Sequence, residues 1–264
     1  MGWQEMGADG FETEGAIFLM FEPGARPHCS DLRNALTRCQ SPAHVSHELS
    51  QDGFDLVELV VKGLTFDCTG LAPGEGARMP APTETIGFDD LAALPPLEAL
   101  SLRPAPHLAG GGRMAPVLRT MFALAAELAM CLPTSAVLWQ PAGIAMAPAH
   151  FSRITLAWLA GGMFPAPGLV ALAAGADRAV ASRGLGYFAG QEFRVEQGGQ
   201  ETAAQTLALA ARLADHLVAE GPVTEPIEVT IAGEPLFAEP ARLGDQVWFW
   251  RRGVAAEAGV AARV

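Results

Sequence analysis

Between residues 71 and 113 the chain carries seven prolines (73, 80, 82, 95, 96, 104 and 106) and closes the stretch with Gly110-Gly111-Gly112. Proline deletes a backbone donor and clashes with the preceding helical turn, so no long helix crosses this region. The expected organisation follows. A first half occupies 15–70, a Pro/Gly-rich connector 71–113, a second half 114–252, and a frayed tail 253–264.

Within the first half, Gly15–Phe21 reads as a buried strand, and a helix is predicted from about Ser30. Leu32, Ala35, Leu36 and Cys39 fall at the i, i+3, i+4, i+7 spacing of one apolar helix face. Val45–Ser50 and Asp55–Lys62 flank Asp52-Gly53, a preferred hairpin turn. Phe88–Leu94 and Leu97–Leu102 read as short helical pieces inside the connector.

In the second half, Leu118, Met121, Phe122, Ala125, Leu128 and Leu132 form an apolar stripe following Pro116. They predict a mostly buried helix. Strands are expected over 136–139, 168–174, 178–182, 227–231 and 247–250, with helices over 148–160 and 202–220. In the last helix Leu207, Ala210, Ala214, Leu217 and Val218 are expected to point inward. The order over 135–231 is then β-α-β-β-α-β, the split βαβ pattern. The fold class expected is α+β: two ferredoxin-like halves (βαββ and βαββαβ), a mainly antiparallel sheet, and helices packed on one face.

Half of the residues are apolar, 17% are charged, and the net charge is −12. That composition excludes disorder and coiled coil, and its sign opposes nucleic-acid binding. Residues 154–176 carry no charge and reach the length of a membrane span, but Gly161, Gly162, Pro165 and Pro167 lie in the middle. A helix ending near Ala160, a turn, and a strand from Gly168 is the better parse, so no membrane span is expected. Glu5, Asp9, Glu12 and Glu14 are unlike the basic start of a secretory signal. Cys29 and Cys39, placed on one helix about 15 Å apart, are too distant to bridge. Reduced thiols and a cytoplasmic location are the expectation.

Chemistry is sparse in the motifs. Gly-x-Ser-x-Gly, Ser-x-x-Lys, the Walker A loop and a Gly-x-Gly-x-x-Gly between strand and helix are all absent from the sequence. Cys29, Cys39, His44 and His47 lie within nineteen residues, but the gap between the cysteines does not match a zinc knuckle. No metal and no cofactor are expected. Trp248-Phe249-Trp250, before Arg251 and Arg252, reads either as an interface patch or as a terminal strand with one aromatic buried.

Residues 182–192, Ser-Arg-Gly-Leu-Gly-Tyr-Phe-Ala-Gly-Gln-Glu, place Gly184, Gly186 and Gly190 within seven positions around Tyr187, the chain's sole tyrosine. Such glycines supply positive φ or let backbone approach closely. Arg183 and Glu192 could pair across the loop. It reads either as a recognition loop on a rigid sheet or as a bulged connection.

Trp139-Gln140-Pro141-Ala142-Gly143 with Pro148 and Phe151, then Arg183-Gly184-Leu185 through Gly190 and Glu192, resemble an uncharacterised bacterial family, domain of unknown function 4261. Met79-Pro80-Ala81-Pro82 is similar to that family's Pro-rich connector. The chain departs at Ser182, where the family tends to have Thr, and at His107–Gly112, where an apolar strand would be expected. The resemblance implies the architecture and no catalytic residue. The leading expectation is therefore a non-enzymatic protein-interaction or adaptor domain of unidentified partner. The alternative is an enzyme or small-ligand-binding domain whose cleft between the halves gathers Glu192, Arg183 and His150.

Overall fold

The computed structural model describes residues 15–51, 54–88 and 96–251. The Asp52-Gly53 turn, residues 89–94 of the first expected helical piece, the acidic start and the 253–264 tail lie outside them. The chain divides into two compact units, residues 1–156 and 157–264.

In the first unit the chain runs β1 (Ile17–Phe21), α1 (Cys29–Arg38), β2 (His44–Gln51), β3 (Phe54–Val61), β4 (Leu64–Thr69), β5 (Glu84–Ile86) and β6 (Glu98–Pro104). It continues through α2 (Ala115–Cys131), β7 (Ala136–Trp139), β8 (Ile144–Met146) and α3 (Pro148–Leu159), the last crossing the division. The strands form one sheet in the order β2-β3-β4-β6-β1-β7-β8-β5. All neighbours are antiparallel except β5 and β8. β1 is central because all five of its side chains, Ile-Phe-Leu-Met-Phe, are apolar and buried, as a strand covered on both faces requires.

Register sorts those side chains. Ile17 pairs with Leu102 and Leu19 with Leu100 on one face. That face carries Trp139, whose ring lies 4.9 Å from Phe122 of α2. Phe18, Met20, Ala99, Leu138 and Ala145 form the core of the opposite face, with Ala77, Met79, Phe88 and Leu97 packed against them.

The Pro-rich stretch is therefore no linker. It supplies β5, β6 and an apolar layer over the sheet. The expected helical piece over Leu97–Leu102 is instead β6, since Leu100 and Leu102 alternate to one face while Ala99 and Ser101 serve the other. The expected 71–113 boundary gives way to a division at residue 156, and β7 and β8, assigned to the second half, belong to the first sheet.

The stripe on α2 is buried as expected, Leu128 at 1% exposure. Helix α1 starts at Cys29 with His28 as N-cap, its N–H donating to Asp31 Oδ2 at 3.0 Å, so Ser30 is inside the first turn. Three bonds from one guanidinium tie the loops around Arg26 together. Arg26 donates from Nε to Glu98 at 2.7 Å, from Nη1 to the Gly70 carbonyl at 2.6 Å and from Nη2 to the Gly74 carbonyl at 2.9 Å.

The second unit contains α4 (Ala166–Leu169), β9 (Ala171–Ala174), β10 (Val180–Arg183), α5 (Gly186–Ala189), β11 (Glu192–Val195), α6 (Ala203–Glu220), β12 (Ile227–Ile231), β13 (Glu234–Pro240) and β14 (Gln246–Arg251). Their sheet runs β12-β13-β14-β11-β10-β9, antiparallel but for β11 and β14. The fold class is thus α+β with two mostly antiparallel sheets. Helix α6 buries Thr206, Leu209, Ala210, Leu213, Ala214 and Leu217. Leu207, expected inward, is 36% exposed, because the 3.6-residue period fits 206, 209/210, 213/214 and 217 better than a face through 207. Among the described residues no helix is long and apolar enough to cross a membrane. In the uncharged stretch α3 ends at Leu159, Gly161 turns at φ +97, and the short α4 precedes β9.

Candidate functional site

The glycine-rich loop lies between β10 and β11 and is organised by one carboxylate. Glu192 Oε1 accepts the backbone N–H of Gly184 at 2.8 Å and of Gly186 at 2.9 Å, while Oε2 accepts the Ser182 hydroxyl at 2.5 Å. The Phe193 N–H returns to Ser182 Oγ at 2.8 Å. A carboxylate receiving backbone N–H groups makes strong, charge-assisted bonds, so Glu192 fixes the loop's path. Both Glu192 oxygens are engaged in these bonds.

Of the three glycines, Gly184 (φ +91) and Gly190 (φ +77) adopt the left-handed region and Gly186 does not. Gly186 is tight for a different reason. A Cβ there would stand 3.3 Å from Glu192 Oε1. Arg183 is exposed, and Tyr187 is half-buried, between the exposed anchor and the buried core side chain that sequence alone allowed. Its neighbour Phe188 pins α5 down, with its ring 4.9 Å from Phe164 and 6.1 Å from Trp158.

His150 belongs to the first unit. It is half-buried on α3 beside Gly87, with Nδ1 3.3 Å from Arg153 Nη2, and burial and the Arg153 charge both hold its pKa below the ordinary imidazole value. Glu192, Arg183 and Tyr187 belong to the second unit.

Two arrangements in the first unit were not foreseen. At the start of α1, a cavity of about 310 Å3 is lined by His28, Cys29, Glu48, Asp55, Leu71 and Pro73 among others. The Cys29 thiol donates to Glu48 Oε1 at 2.6 Å, and Arg33 Nε donates to the same oxygen at 2.7 Å. Burial, then the bond to Glu48, pushes the thiol pKa up. Cys29 is thereby held as a protonated donor, the reverse of an activated nucleophile.

The second arrangement is a row across four strands, in which His47 pairs with Glu58, Glu58 with Asp67, and Asp67 with Arg103. Asp67 is only 5% exposed, and burial raises its carboxyl pKa, opposed by Arg103 and reinforced by Glu58. The signal was present as polar residues alternating with Val57, Leu59, Phe66 and Cys68, but strand β4 was not recognised.

The four candidate zinc ligands are not brought together. Cys39 and Cys131 form a disulfide with Cα atoms 6.6 Å apart, ninety-two residues apart in sequence. Reduced cysteines were expected, with Cys39 on the apolar face of α1. The helix instead ends at Arg38, which leaves Cys39 exposed as its C-cap.

On β14, Phe249 is buried at 1% exposure, and Trp248 and Trp250 stack on the other face with centroids 5.3 Å apart. Arg194 lies 5.0 Å over Trp248. This is the strand alternative with one aromatic inward. Compared with protein-family models, with curated proteins and with solved structures, the chain matches none.

Proposed function

We propose that the chain is a non-enzymatic protein-interaction domain, and that its second unit takes up an extended, basic segment of a partner protein along the free edge of β12. The observation that carries this reading is that β12 ends its sheet among the described residues, with Glu225 just before it and Glu228 on it, while residues 213–241 contain no lysine or arginine.

β12 ends the strand order, and Ile227, 48% exposed, heads an apolar face above exposed Glu228 and Thr230. The β12–β13 hairpin turns through Ala232 (φ 56) and Gly233 (φ 87), the positive-φ pair of a type I′ turn, which keeps the edge strand regular. A sheet edge offers unpaired N–H and C=O groups to an added strand, while side chains at alternate positions select it. Glu225 and Glu228 disfavour a second copy of the same hairpin and favour lysine or arginine in an added strand.

The test uses a synthetic nine-residue peptide alternating valine and arginine, followed by fluorescence anisotropy on the full chain. Binding at low salt is expected, with a tenfold or greater loss in the Glu225→Lys/Glu228→Lys variant. An alternating valine–glutamate peptide that binds equally well would overturn the reading. So would a concentration-dependent dimer abolished by the same variant, which assigns the edge to a second copy.

A ferredoxin-like core is proposed for the first unit on the order β4-β6-β1-β7, with α1 and α2 between the strands as in a split βαβ pattern. An experimental structure with a different order would refute it. Membership of the family of domain of unknown function 4261 rests on the motif residues quoted above.

A further inference from the structure

We propose that the Cys39–Cys131 disulfide is a reversible redox link, opened by a dithiol donor while the protein stays folded. It lies in the first unit and is independent of the binding reading above.

The link joins two helix C-termini. Cys39 caps α1 and Cys131 is the last residue of α2. Each helix end carries roughly half a negative charge from its free carbonyls, so the bond holds like ends together. Arg38 offsets part of this by donating from Nη2 to the Cys131 carbonyl at 3.0 Å. The chain leaves α1 through Gln40 at φ 51, with the Ser41 N–H on the Leu36 carbonyl at 2.9 Å, which fixes Cys39 at the surface.

Cys39 is exposed and Cys131 half-buried, so the donor's thiolate reaches Cys39 Sγ first. A sulfur–sulfur bond forms between donor and Cys39. The Cys39–Cys131 bond breaks, and its electron pair leaves on Cys131, which takes a proton from water. The donor's second thiol then displaces Cys39, which is protonated in turn. Two electrons have passed to the protein, and the donor departs as its own disulfide.

The helices do not depend on the link for their seating. Helix α1 is buried through Leu32, Ala35 and Leu36, and α2 through residues that include Leu118, Phe122 and Leu128. What changes is local. Arg38 and Leu132, the neighbours of the two cysteines, line a cavity of about 440 Å3 with Asp31 and Asn34, and opening the link frees that wall.

The experiment equilibrates the full chain in graded mixtures of reduced and oxidised dithiothreitol, quenches with a maleimide mass tag, and maps the tagged peptides, with circular dichroism recorded at each mixture. A single two-thiol step confined to Cys39 and Cys131, with secondary structure retained, is the expected result, unchanged in Cys29→Ser. With glutathione, Cys131→Ser is expected to trap Cys39 as a mixed disulfide at least tenfold faster than Cys39→Ser traps Cys131. Reduction that occurs only in unfolding concentrations of urea, or a pair that stays as thiols in every mixture, overturns the proposal. Equal trapping at the two cysteines overturns the assignment of Cys39 as the attacked sulfur.

Discussion

The Ser182 hydroxyl donates to Glu192 Oε2 at 2.5 Å, across the mouth of the glycine-rich loop. Replacing Glu192 with Ala removes the acceptor for that hydroxyl and for two backbone N–H groups, and a cost of about 2–4 kcal/mol is expected. Glu192→Gln keeps an oxygen for Gly184 and Gly186 and is expected to lose about half as much or less. Urea unfolding of both variants checks the order. Equal losses would mean that the negative charge, and not the geometry, holds the loop.

The glycines are expected to rank by their surroundings. At Gly70, φ is +87 and a Cβ would stand 2.5 Å from the Ala77 nitrogen and 2.7 Å from the Ala99 oxygen, both backbone atoms. At Gly190, φ is +77 with nothing within 4 Å. Gly190→Ala should therefore cost about 1 kcal/mol, the conformational penalty alone. Gly70→Ala adds a clash with backbone that cannot swing away and should cost about twice that or more. Thermal melts of the two variants make the comparison.

Leu128→Ala is expected to cost about 2–5 kcal/mol, because Leu128 is on the buried face of α2. Tyr187→Ala should cost less, about 1–2 kcal/mol, since Tyr187 is only half-buried. Chemical denaturation that reverses this order would mean the ring of Tyr187 carries core packing.

Asp67 sets a pH dependence. Its carboxyl pKa is raised by burial, so the folded state holds the proton more tightly than the unfolded chain does. The stability it contributes is present below the unfolded value of about 3.9 and is lost as pH rises through the folded value. Asp67→Asn should thus move the urea midpoint upward at pH 7 and leave a smaller difference at pH 4. A variant less stable than the parent at pH 7 would show that attraction to Arg103 outweighs burial.

Where the sequence was legible, periodicity did the work. Leu118, Met121, Phe122 and Leu128 announced α2, and the alternation in Ile227, Val229 and Ile231 announced β12. Sheet partners were not legible, because period-2 alternation says that a strand is half-buried but not which strand lies beside it. Residues 97–102 read as helix when taken locally, yet Leu100 and Leu102 are placed by pairing with Leu19 and Ile17 some eighty residues away. The disulfide was missed for the same reason. Cys39 and Cys131 have no local spacing to betray them, and only the meeting of two helix ends joins them. Of the loop, the need for glycine was readable, whereas the carboxylate that packs against Gly186 became evident only in three dimensions.

The central position of β1 also governs when this protein can begin to fold. Its two partners are β6 and β7, and the second is complete only at Trp139. At about 5–20 residues per second of synthesis, the Ile-Phe-Leu-Met-Phe segment waits on the order of ten seconds after leaving the ribosome before both edges can be paired. Over that interval the apolar β1 segment lacks one of its two strand partners. Any message truncated before β7 yields a product with an open hydrophobic strand and no means of closing it.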